Sequence, residues 1–87
     1  MTPEEKKQRK ADDAKRLLND PIIREALSTL KETCFYNIET SAHNQEAERE
    51  DLYYMLRCIS AFEKQLKQYI QEGTVSLHNL NIKKLVR

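Results

Sequence analysis

Between Leu52 and Tyr69 the apolar residues Leu52, Met55, Ile59, Phe62, Leu66 and Tyr69 step by three and four along the chain. That is the spacing of a heptad seam on one face of an α-helix. Tyr53, Leu56 and Ile70 widen the seam. Gly73 follows and is expected to stop the helix as a left-handed C-cap, with Lys64 and Lys67 toward the end where the helix dipole favours cations. A second helical pattern runs through Ile23, Leu27, Leu30, Cys34 and Ile38, with Ile22, Ala26 and Phe35 beside it. Ahead of it, Asn19-Asp20-Pro21 is the clearest break in the chain. Proline crowds the preceding residue out of helical geometry, Asp is a good N-cap, and Pro suits the first helical position. Residues 1–19 read as a polar helix opened by Thr2-Pro3-Glu4-Glu5, a capping-box pattern. Its apolar residues are sparse, and Leu17 and Leu18 form the end able to dock. Thr40 to Gln45 is rich in weak helix formers and reads as a turn, with Ser41 or Asn44 capping the next helix.

These elements predict an all-α protein. A long antiparallel helical hairpin (20–73) follows a shorter N-terminal helix (1–19), and an extended or short-helical C-terminal arm (74–87) completes a single domain. In an antiparallel pair, facing residues have numbers of constant sum. Ile23 with Leu66, Leu27 with Phe62, Leu30 with Ile59 and Cys34 with Met55 satisfy this and place the bend inside the predicted turn. The expected hairpin core is therefore Ile23, Leu27, Leu30, Cys34, Ile38, Leu52, Met55, Ile59, Phe62, Leu66 and Tyr69. A two-helix hairpin of this length is marginal by itself. Tyr53, Tyr54, Leu56, Tyr69 and Ile70 spread wider than one partner helix can cover, so either the first helix covers them or another molecule does. The arm is too apolar for an inert tail. Tyr53, Tyr54, Leu56, Ile70, Leu77, Leu80 and Leu85 are the expected partner-binding residues.

Composition sharpens this picture. Charged residues make up 33% of the 87-residue chain, with one glycine and two prolines. Few turn-makers and many charges suit long helices with a narrow apolar face. The net charge is +1, so no global field draws the chain to nucleic acid or an anionic surface. The charge is uneven: an acidic centre lies between basic ends, Lys6, Lys7, Arg9 and Lys10 at one and Lys83, Lys84 and Arg87 at the other. These are the candidate phosphate contacts. No aromatic residue interleaves them, so base stacking has no platform, and any nucleic-acid binding would be salt-sensitive and through phosphate alone. No stretch approaches the roughly 20 apolar residues of a membrane span, and no signal peptide is evident.

Candidate chemistry is thin. His43 and His78 have no cysteine at metal-finger spacing, so no metal is expected. A single glycine excludes a glycine-rich phosphate loop. Ser41 beside His43 lacks a group to orient the pair. Glu39, Glu46 and Glu50, with Arg49 among them, read as capping and solubilising charges. Cys34 reads as a small core residue, with a disulfide to Cys58 as the minor alternative. No catalytic residue and no cofactor are expected.

The stretch Ala14-Lys15-Arg16-Leu17-Leu18-Asn19-Asp20-Pro21, followed by Ile23, Glu25-Ala26-Leu27 and Leu30, resembles a recurring small helical protein of tailed bacteriophages, often encoded near head and portal genes. The resemblance covers roughly residues 11–73. It implies a non-enzymatic structural or virion-assembly protein, located in the virion or host cytoplasm, that contacts itself or a larger virion protein. A phage-encoded inhibitor of a host protein is the alternative, and a nucleic-acid-binding accessory a third reading.

Overall fold

The computed structural model describes residues 1–85, with side-chain surroundings for residues 1–79. Three helices form an all-α fold: α1 (Pro3–Asn19), α2 (Pro21–Glu39) and α3 (Glu46–Leu85). No strand occurs among the described residues. The molecule is a rod, 67 × 23 × 19 Å along its principal axes. At ~1.5 Å per residue the 40 residues of α3 span ~60 Å and set that length. The shorter helices α1 and α2 lie end to end along α3. The contacts run in opposite order on the two sides: Ser41 meets Arg49, Lys31 meets Glu63, and Ala11 meets Gly73. The helix α1 packs on the C-terminal half of α3 and leaves the N-terminal half to α2.

The helix starts follow local chemistry. Thr2 Oγ1 accepts the Glu5 N–H at 3.1 Å, and Pro3 opens α1. Asp20 closes α1 and caps α2, its Oδ1 accepting the N–H groups of Ile22 at 2.9 Å and Ile23 at 3.3 Å. Its extended backbone is what the following proline requires. In the turn, Gln45 rather than Ser41 or Asn44 stands at the N-cap position of α3. Ser41 instead donates to the Ile38 carbonyl. Arg49, one turn into α3, binds the turn together. Its guanidinium donates to Ser41 Oγ at 3.0 Å and to the Ala42 and His43 carbonyls at 2.6 and 3.1 Å. A cation that looked solubilising in the sequence thus satisfies loop acceptors.

The expected stop at Gly73 does not occur. No glycine has positive φ, and α3 runs on to Leu85. Gly73 is buried where α1 crosses, and a Cβ there would collide with the Cβ of Ala11 and press on the Lys7 carbonyl. The residue serves close helix approach, not termination. Ala11, Ala14 and Ser76 are buried at the same crossing, so small side chains let α1 lie close to α3. Residues 74–85 of the predicted C-terminal arm are accordingly helical and continuous with α3, with no boundary at residue 73.

The seam also sits differently from the expected one. Leu30, Met55 and Phe62 are 48%, 49% and 50% exposed, so they flank the core rather than fill it. The buried and half-buried line on α3 is Leu52, Leu56, Ile59, Glu63, Leu66 and Ile70. On α2 it is Ile23, Leu27, Lys31, Cys34 and Ile38. Lys31 Nζ pairs with Glu63 Oε1 across the two helices, the only charged positions on those lines. Three of the four expected facing pairs contain a residue that lies off this line. Toward α1 the line crosses α3: Tyr69 and Ile70 are both half-buried, then Ser76 is buried while Leu77 is exposed. The break at Asp20-Pro21 frees α1 to take this different course.

Candidate interaction surface

The sites expected for partners fall into distinct environments. Tyr53 and Tyr54 are more than half exposed on α3, and α1 does not reach them. A shallow groove on that outer side is lined by Tyr53, Tyr54, Leu56, Arg57, Cys58, Ser60, Ala61 and Lys64. Leu56 and Ile70 are half-buried in the helix pairing, so they hold the rod together more than they present a surface. Leu77 remains exposed. The side-chain surroundings of Leu80, Leu85, Lys83 and Lys84 lie outside the described residues, and so does Arg87 altogether.

Sequence periodicity missed part of the exposed apolar surface. Ile22 and Tyr36 are each 65% exposed, and Phe35 is 54% exposed. These residues sit on α2 beside or behind its buried line. A period analysis assigns them to the margins of a core, but only one neighbouring helix exists here to cover them.

The basic N-terminal run is distributed around α1. Lys6, Lys7, Arg9 and Lys10 are exposed, and acids answer some of the helix's charge: Arg16 pairs with Asp13 at 3.0 Å. Lys10 Nζ lies over the ring of Tyr69, 5.0 Å from its centroid, a cation–π contact that ties α1 to α3. A concavity between α1 and α3, lined by residues including Glu4, Lys7, Lys64, Gln71, Glu72 and Asn79, has a volume of about 570 Å³. That is within the size range of ligand pockets, but long flexible side chains of both signs line it and no set of them converges on a point.

Cys34 is buried against α3 and Cys58 is exposed, both as free thiols, so the disulfide alternative is not formed. Among the described residues, no three His, Cys, Asp or Glu side chains come close enough to hold a metal ion. His43 lies in the turn and His78 on α3. No described helix is long and apolar enough to cross a membrane. No family model matches the chain, and neither a curated protein nor a solved structure matches it.

Proposed function

We propose that this chain is a non-enzymatic interaction protein, a structural or assembly component of a tailed-phage virion that binds a larger partner through its helical faces. The observation that supports this most is the uncovered aromatic surface. Tyr53 and Tyr54 on α3, with Phe35 and Tyr36 on α2, stay half exposed or more, beside the exposed apolar groups Ile22, Met55 and Phe62. Tyrosine offers large contact area at small entropic cost and is enriched where proteins meet. The phage assignment rests on the sequence resemblance around Leu17-Leu18-Asn19-Asp20-Pro21. An inhibitor of a host protein would use the same faces and differs in where the chain is found.

Mass spectrometry of purified particles from the parent phage tests the reading. The chain is expected in the particle, or in its assembly intermediates, at a fixed ratio to a head or portal protein. Tyr53→Ala together with Tyr54→Ala should lower that ratio at least tenfold while circular dichroism stays unchanged. Absence from both particles and intermediates would refute the virion role.

A further inference from the structure

The net charge of +1 hides a separation that the fold creates. Residues 20–63 carry four Lys/Arg against nine Asp/Glu. Residues 1–19 carry six against four, and residues 64–85 carry four against one. The two basic segments are remote in sequence, yet α1 lies on the C-terminal half of α3, with Ala11 against Gly73. Both therefore build one end of a rod 67 Å long, and the acidic segment builds the other. One end has five more cations than anions and the other five more anions than cations. Their centres stand ~30 Å apart along α3, several times the Debye length of about 8 Å at physiological salt. Each end thus acts on its surroundings as a separate charge.

Within the basic end the free cations gather around one concavity. Lys7 of α1 lines it together with Lys64 and Lys67 of α3. Lys6 and Lys7 each lie one helical turn from Lys10, so the three are neighbours on α1. All five lysines are exposed. Among the described residues the ion pairs are Arg16 with Asp13 and Lys31 with Glu63, so none of the five is held in one. The acids of this end are engaged along their own helices: Asp13 by Arg16, Asp12 by Gln8 and Glu72 by Gln68. Glu4 and Glu5 stand in the first turn of α1, where the helix dipole favours them. Lysines that converge on no single point do not suit a small anion. They suit an extended one, whose charges repeat along a line. Val75 is the one apolar residue lining the concavity, whereas a membrane surface takes an apolar stripe beside the cations. Tyr69, the only aromatic residue of this end, has Lys10 over its ring, so no platform is open for an unpaired base. We infer that the basic end binds the phosphate backbone of a nucleic-acid duplex without reading its sequence. The same phosphates repel the acidic end. The rod therefore engages by one end and points the exposed Phe35, Tyr36, Tyr53 and Tyr54 away from the duplex, free for a protein. This inference does not rest on the virion assignment and is measured on the purified chain alone, so either can fail while the other stands.

Fluorescence anisotropy of a short labelled DNA duplex, titrated with the chain, tests this. Saturable binding is expected at about 50 mM salt, and log affinity should fall against log salt with a slope of about −3 to −4, each phosphate contact contributing about −0.9. An unlabelled duplex of unrelated sequence should compete equally. Lys64→Gln with Lys67→Gln should weaken binding at least tenfold at that salt and make the slope shallower by about 2. Lys6→Gln with Lys7→Gln should do the same from the other helix. Arg24→Gln with Arg57→Gln removes as much charge from exposed positions in the acidic half and should leave the affinity within threefold. Circular dichroism should show all three variants helical. No binding at low salt would overturn the inference. So would a loss from the arginine pair equal to that from the lysine pairs, or tighter binding to a single strand of the same length. Capture by phosphatidylserine vesicles with no binding to the duplex would overturn it as well, and give the surface to a membrane.

Discussion

Gly73 shows how one missing methyl group positions a helix. Alanine in its place would gain roughly 1 kcal/mol of helix propensity. It would also drive a Cβ into Ala11, and neither alanine can swing aside. Overpacking costs about 1–3 kcal/mol, so the clash outweighs the propensity gain. Gly73→Ala should lower thermal stability by about 1 kcal/mol, some 4–8 °C for a domain of this size. Ala11→Gly by itself should also destabilise, through propensity. The double variant should be more stable than the two losses summed, because it reopens the space. Additive losses in a thermal-melt cycle would show that the crossing is not packed as described. Ile59 tests the core in the same way. It is buried at 8% exposure, and Ile59→Asp places a carboxylate in the α2–α3 pairing, where the cation of the facing line, Lys31, is already paired with Glu63. That variant should unfold by circular dichroism, while Lys67→Asp, on an exposed position, should remain folded.

At the scale of elements, the break at Asp20-Pro21 divides what would otherwise be one long helix into two. The cap at Asp20 satisfies two N–H groups of α2 at once. Asp20→Ala should cost about 1 kcal/mol, read as a lower urea midpoint at unchanged m-value, whereas Asp20→Asn should be near neutral because Asn caps equally well. Equal effects of the two substitutions would assign the loss to charge, not capping. The turn between α2 and α3 depends on Arg49 in a similar manner, since its guanidinium makes three bonds to Ser41, Ala42 and His43. Both devices are local, so both act on where helices begin and leave the choice of face to packing.

The whole molecule is a thin rod with a sparse core. Among the residues whose side chains are described, the buried apolar ones are Ala11, Ala14, Cys34, Ile59 and Leu66, and of these only Ile59 and Leu66 are large. Two layers of helix cannot enclose side chains on all sides, so residues that periodicity assigns to a core remain half open. Leu30, Met55 and Phe62 illustrate this.

Helix identity, the break before Pro21 and the bend near residues 40–45 were legible in the sequence, because capping and 3.6-residue periodicity act over a few neighbouring positions. The course of α3 beyond residue 73 was not. A glycine ends a helix or admits a neighbour with the same side chain, and only the arrival of Ala11 decides between them. The side of α3 that turns inward was equally undecided. Met55 and Leu56, or Tyr69 and Ile70, are adjacent apolar residues that serve a seam comparably well. Pairing with α2 and the crossing of α1 selected among them, because burial is a property of which helices meet and not of either helix alone.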